Sequence, residues 1–226
     1  MSGVETSALK TRAYELELEG EQVLLFPEKF AFWEKEKTIF LADTHFGKVA
    51  HFRKSGIGLP PGVGMETFFR LQAIVNGMKP ERLIILGDVF HSDFNPDFVR
   101  FKDWIGQFGH IQFDLVLGNH DLAGKKAAED LGLRFSTLLK TGPFYCVHEP
   151  GDIHSDHFHF FGHLHPGIAL AGLAGQSLKI PCFWMRKNQM CFPAFGAFTG
   201  CAAISGKPGD TFFGITDKKV IPLSIK

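Results

Sequence analysis

Five short segments place carboxylates and imidazoles where an apolar run stops: Asp43-Thr44-His45, Gly87-Asp88, Gly118-Asn119-His120-Asp121, His148 and Gly162-His163-Leu164-His165. Taken singly, Asn-His-Asp is an ordinary turn, because Asn and Asp hydrogen-bond their own backbone and tolerate left-handed dihedrals. Five such endings in 226 residues point instead to one shared site. Its donors are Asp43, His45, Asp88, Asn119, His148, His163 and His165. They offer oxygen and nitrogen without thiolate, which argues against a structural zinc knot. The set suits divalent cations, Mn2+, Zn2+ or Fe, at a centre that keeps open positions.

Seven donors are enough for two ions. A carboxylate in the middle of the set, most simply Asp88, can bridge ions about 3.5–4 Å apart through its two oxygens. Such a pair lowers the pKa of a bridging water and neutralises charge developing on phosphoryl oxygens, so a phosphoester is the natural substrate. His120 lies between Asn119 and Asp121. Its imidazole can face the reacting group from the side opposite the cations, while the Asp121 carboxylate orients it and favours its charged form. It then serves as general acid or stabilises the transition state. The alternative is that His120 is itself a ligand and Asn119 a turn residue.

These side chains need a scaffold that gathers strand ends. Residues 38–42, 83–86 and 113–117 are short apolar runs of the kind found where a strand is covered on both faces. Between the first two, Phe68, Leu71, Val75 and Met78 recur at helical spacing before Pro80, which disfavours helical dihedrals in the residue ahead of it. The segment reads as a βαβ unit. Asn95-Pro96 opens a second helix, a cap followed by a ring whose missing N–H costs nothing in the first turn. Phe98, Phe101, Ile105 and Phe108 form its stripe, which reads as core packing rather than a base-stacking platform. A short helix is expected over 125–131.

Upstream, residues 1–11 read as a frayed arm, and 14–18 with 22–26 as a hairpin. After Gly132 helical periodicity gives way to strands at 135–139, 144–147, 158–161, 178–185, 190–192 and 201–204, with a terminal hairpin of 212–215 and 220–223. No linker, repeat or low-complexity stretch separates the halves. One α/β domain over residues 1–226 is therefore expected, two sheets packed on each other with the ligands outside the carboxyl ends of strands.

Lysine plus arginine and aspartate plus glutamate are 24 each. No basic excess advertises nucleic acid, although a local patch beside a site remains compatible with that balance. Cys146, Cys182, Cys191 and Cys201 form no C-x-x-C pair and read as buried reduced thiols. With no basic-then-apolar start and no run of about 18 apolar residues, the expectation is a soluble, cytoplasmic protein without membrane contact. The oligomeric state is not legible.

In order and composition, Asp43-x-His45, Gly87-Asp88, Gly118-Asn119-His120-Asp121, His148 and Gly162-His163-x-His165 resemble the signature of the calcineurin-like metallophosphoesterases. The surroundings are Leu41-Ala42-Asp43-Thr44-His45-Phe46-Gly47-Lys48, His51-Phe52-Arg53 and Pro193-Ala194-Phe195-Gly196-x-Phe198-Thr199-Gly200. They are similar to one branch, the ligase-associated DNA-damage-response endonucleases. The resemblance implies a four-layer sandwich of two facing mixed sheets flanked by helices, and two divalent ions, usually Mn2+. It implies one ion on Asp43, His45, Asp88 and His165, the other on Asp88, Asn119, His148 and His163, with His120 as the catalytic histidine. It further implies a phosphodiester substrate, DNA, met in a repair setting with DNA-repair proteins. One departure is Val147-His148-Glu149-Pro150, where many relatives carry Gly-His.

Two rivals stand beside that reading: a phosphomonoesterase or small-nucleotide phosphodiesterase, which balanced charge suits, and a non-catalytic binding scaffold of the same fold. The scaffold predicts lost ligands, and none is missing. His51, Arg53 and His91 are candidate substrate contacts, with solvated charge or a structural hydrogen bond as the plainer alternative. His154, His157 and His159 cluster before the last motif, as a rim to the cleft or a third metal site.

Overall fold

The computed structural model of the chain describes residues 9–49, 52, 56, 63–90, 96–118, 129, 131–149, 156–171 and 176–224. The expected arm over 1–11 lies mostly outside them, and so does most of the helix expected over 125–131.

A seven-stranded sheet runs in the order β1 (Tyr14–Leu18), β2 (Glu21–Phe26), β3 (Phe30–Trp33), β4 (Thr38–Leu41), β5 (Arg82–Leu86), β6 (Gln112–Val116) and β7 (Arg134–Ser136). Its first four strands meander antiparallel and β4 to β7 are parallel. The first hairpin turns through Glu19 and Gly20, both at positive φ, the conformation whose twist matches the flanking strands. The parallel register follows from crossovers. One carries α1 (Glu66–Met78), which ends where Lys79 enters the left-handed region and Pro80 follows; the next carries α2 (Pro96–Gly106).

The second sheet is also mixed. It contains β8 (Leu139–Thr141), β9 (Phe144–Cys146), β10 (Phe158–Phe161), β11 (Pro166–Ala171), β12 (Ser177–Arg186), β13 (Gln189–Cys191) and β14 (Ala202–Ala203). The hairpin β15 (Thr211–Ile215) and β16 (Val220–Ser224) joins it through β12. Here β10 lies parallel to both β9 and β13.

Why the central strands read as continuous apolar runs is now visible. Phe40, Ile84, Leu86 and Val116 face a core shared with Phe144, Phe160, Phe183 and Phe213 of the second sheet. Ile39, Leu41, Leu83, Ile85 and Leu115 face the other core, under Phe68, Leu71, Phe101 and Trp104 of the helices. Alternation is present, but both faces are buried. Among the described residues the two long helices both cover the first sheet. The abundance of phenylalanine is a packing fact: Phe40, Phe144 and Phe160 meet edge-on or stacked at centroid separations of 4.6–6.3 Å between the sheets.

Several expectations need correction. Residues 135–139 are not one strand: β7 completes the first sheet and β8 begins the second, so the change of sheet comes after Ser136, not at Gly132. The strand expected over 201–204 is only the two-residue β14. Phe108 packs in the core from beyond the end of α2, and Trp104 belongs to the stripe. β3 and β11 were not anticipated. All four cysteines are free of disulfides; Cys146, Cys182 and Cys191 are buried as expected, whereas Cys201 is only half-buried. No described helix is long and apolar enough to cross a membrane.

Candidate metal centre

The parallel strands β4, β5 and β6 end at Leu41, Leu86 and Val116, so Asp43, Asp88 and Gly118, two residues on, are delivered to one edge. The loops stay paired beyond the sheet, with Asp43 N–H on Gly87 O (3.2 Å), His45 N–H on Asp88 O (3.0 Å) and Phe46 N–H on Val89 O (2.8 Å). Across the sandwich β9 and β10 deliver His148 and His163 to the same edge, where Gly162 N–H donates to His148 O at 3.1 Å. His163 N–H reaches across to Asp43 Oδ2 at 3.0 Å. Sequence segments up to 120 residues apart thereby meet.

Two imidazole pairs result. His45 Nε2 lies 3.3 Å from His165 Nε2, and His163 Nδ1 lies 3.2 Å from His148 Nε2. Two ring nitrogens bonded to one ion at about 2.0–2.1 Å with a near-tetrahedral angle are about 3.3 Å apart, so both spacings fit shared ligation. Carboxylates join each pair: His165 Nε2 is 3.5 Å from Asp43 Oδ1, and His148 Nε2 is 3.5 Å from Asp88 Oδ1. Asp43, His45 and His165 form one group that could hold a cation, and Asp43, Asp88 and His148 another. Asp43 is thus common to both groups, whereas the sequence reading puts Asp88 in the middle.

Asp43 provides the sharpest test of fit. It is fully buried, and its Oδ1 accepts no hydrogen bond from any described residue. A buried carboxylate oxygen left so is costly unless a cation supplies the missing partner. His148 provides a second test. Its Nδ1 lies 2.9 Å from the Leu86 carbonyl, which fixes the tautomer with N–H on Nδ1 and leaves the Nε2 lone pair toward Asp88 and His163, the usual arrangement behind a metal-binding imidazole. His148 makes that bond with Val147 ahead of it. Cys191 lies near Asp43, but burial first, and then the Asp43 charge, push its thiol well above the ordinary range. It stays protonated, with Sγ 3.4 Å from Gly162 O, and the donor set remains oxygen and nitrogen.

Glycines make room for these side chains. A Cβ at Gly87 would sit 2.0 Å from His148 Nδ1, one at Gly118 2.3 Å from Asp88 Oδ1, and one at Gly162 2.7 Å from Asp43 Oδ2. The backbone is also unusual there: Asp43, His45, Asp88, His163 and His165 all have φ between 44° and 66°. Left-handed non-glycine residues cost about 1 kcal/mol or more each and gather where function holds them.

Of the residues the sequence singles out, the structure brings together Asp43, His45, Asp88, His148, His163 and His165. Asn119, His120 and Asp121 lie outside the described residues, as do His51, Arg53, His91 and His154. His157 and His159 are not at the centre: they pack on Tyr145, with ring centroids 4.4 and 5.5 Å away. What the sequence reading missed is the second layer. Arg70 donates to the Phe195 carbonyl and lies over its ring, Thr67 Oγ1 accepts from Ala197 N–H at 3.2 Å, and Gly196 N–H donates to Asp43 O at 3.0 Å. Helix α1 thereby braces the loop that braces Asp43. No local spacing announces a contact between residues 70 and 195.

Comparison with known proteins bears on the whole assembly. No curated protein matches the chain. The crystal structure of Pseudomonas putida nuclease MPE matches it with a TM-score of 0.80 and 27% sequence identity, over 93% of this chain and 100% of that one. The calcineurin-like phosphoesterase family model matches residues 36–167, more than half of the sequence and every strand end that carries a ligand candidate, and the chain belongs to that family.

Proposed function

We propose that this phosphoesterase is a phosphodiesterase acting on DNA in a repair setting, working with two divalent ions, Mn2+ first among them. The observation that carries the metal-dependent part is the two imidazole couples, one beside Asp43 Oδ1 and the other beside Asp88 Oδ1, with Asp43 Oδ1 a buried acceptor that has no hydrogen bond among the described residues. The nuclease part is supported by the likeness to Pseudomonas putida nuclease MPE, and the repair setting by the motifs around Asp43 and in 193–200.

In this reading Asp43, His45, Asp88 and His165 hold one ion. Asp88, Asn119, His148 and His163 would hold the other. When bound, the ions supply Lewis-acid charge and an activated water. The chain's own residues do the rest. His148 holds its lone pair inward through its bond to Leu86. His120, with Asp121 as its carboxylate partner, would give a proton to the leaving oxygen. Asp43 keeps a buried carboxylate oxygen with no hydrogen bond from a described residue, an acceptor that a cation would satisfy.

The test is a panel of substrates with Mn2+: a small phosphodiester, a phosphomonoester, and single- and double-stranded DNA. Cleavage of DNA with turnover of the small diester is expected. Turnover of small esters with every nucleic acid left intact would sink the nuclease reading.

A further inference from the structure

A cleft beside His45 is unused in that scheme. It is lined by Thr44, Lys48, Thr67, Asp97 and Thr199, with a cavity volume of about 20 Å³, room for one oxygen-sized group. Lys48 stands one turn beyond His45, its N–H on the His45 carbonyl at 3.2 Å. Its ammonium has one hydrogen-bond partner among the described residues, Thr199 Oγ1 at 3.5 Å, although it carries three donors. Burial pushes its pKa below the ordinary lysine value, and the Asp43 charge opposes that. The neighbouring Asp97 carboxylate accepts from Arg100 Nη1 at 2.6 Å.

Thr199 is held firmly. Its N–H donates to Gly196 O at 3.2 Å, and a Cβ at Gly196 would meet both Thr199 Oγ1 and Thr44 O at 2.7 Å. The hydroxyl is folded over a glycine that leaves it room, next to the loop braced by Thr67 and Arg70.

We infer that Lys48 and Thr199 form a phosphate-oxygen subsite on the His45 side of the metal centre, taking an oxygen of a substrate phosphoryl group. A lysine ammonium is a compact point charge that binds phosphate without the fixed fork of arginine, and the threonine hydroxyl adds a rotatable donor. The subsite gives a role to two features the motifs contain but the ligand set does not use, Lys48 and the 193–200 loop. It rests on the phosphoesterase reading of the adjacent centre.

The experiment measures inorganic phosphate binding by calorimetry to the Mn2+-loaded protein, with bound Mn2+ counted in each sample. Lys48→Ala should weaken phosphate about tenfold or more, the scale of a lost charge-assisted hydrogen bond. Lys48→Arg should recover most of the affinity, Thr199→Val should weaken it by a few fold, and Mn2+ content should stay that of the wild type. Unchanged phosphate affinity in Lys48→Ala overturns the subsite, and so does loss of Mn2+, because the lysine would then act through the ligands. A raised KM for both a small diester and an oligonucleotide puts the scissile phosphoryl there; a raised KM for the oligonucleotide alone puts a neighbouring phosphate there. Lys48-dependent phosphate binding without hydrolysis of any phosphoester keeps the subsite and defeats the functional reading. Hydrolysis with phosphate indifferent to Lys48 does the reverse.

Discussion

Asp43 combines full burial, a left-handed backbone and a carboxylate oxygen without a hydrogen bond among the described residues, three costs that one cation in contact with Oδ1 would offset. Asp88 shares the first two, at 3% exposure with φ 49°. Asp88→Asn should therefore lose metal and activity together, read by metal analysis beside a phosphodiester assay. His120→Ala should keep its metal and slow turnover by roughly 10²–10⁴-fold, the scale of lost acid–base catalysis; metal loss in that variant would make His120 a ligand. Gly87→Ala is informative because it changes no donor. Its Cβ would fall 2.0 Å from His148 Nδ1 at a position with φ 80°, so the imidazole must move. Weaker Mn2+ retention and a fold destabilised by about 1–3 kcal/mol are expected, measured by metal titration and urea denaturation.

At the scale of elements, the parallel strands have a functional end and a structural end. Opposite the centre, Asp114 of β6 accepts from Arg82 of β5 (2.7 Å), Arg134 of β7 (2.9 and 3.2 Å) and Gln112 (2.7 Å). Arg82 continues to Thr141 Oγ1 of β8 at 2.9 Å, in the other sheet. The carboxylate is only 4% exposed, whereas the Arg134 side chain is 61% exposed, so much of that second pair is screened by water. Asp114→Ala should cost about 2–3 kcal/mol by leaving the mostly buried Arg82 charge without its carboxylate partner. Urea unfolding reads the loss, while activity per folded molecule should hold, since Arg82, Gln112 and Arg134 begin their strands and none of the network is a ligand candidate.

Across the whole molecule, the candidate ligands divide between the sheets: Asp43, His45 and Asp88 follow strands of the first, His148, His163 and His165 strands of the second. An ion bound by both sets staples one sheet to the other at the edge of their shared aromatic core. Mn2+ at about a hundred times its dissociation constant should stabilise the fold by about 2.7 kcal/mol. For a chain of this length that raises Tm by about 5–10 °C. EDTA should reverse the rise and abolish hydrolysis together. A thermal scan against Mn2+ concentration checks it, and a Tm indifferent to Mn2+ would mean the sheets are not joined through metal.

Much of the site was legible before any fold was known, because ligand chemistry is local in sequence. Each motif is a polar cluster at the end of an apolar run, and the runs of β4, β5, β6, β9 and β10 could be located from hydrophobicity alone. Helices α1 and α2 announced themselves by spacing and by proline. What the sequence could not carry is pairing. Whether residues 135–139 form one strand or two in different sheets depends on neighbours far along the chain, and so does the bracing of Asp43 by α1 through residues 194–197. The sequence determined which atoms the centre offers and the family they belong to. Only the tertiary structure decided that Asp43 stands in both donor groups, that glycines clear the space for His148, Asp88 and the Asp43 carboxylate, and that Lys48 and Thr199 share a cleft with His45. Composition and periodicity record whether a residue is buried, but contact between distant segments is set by the packing of two cores at once.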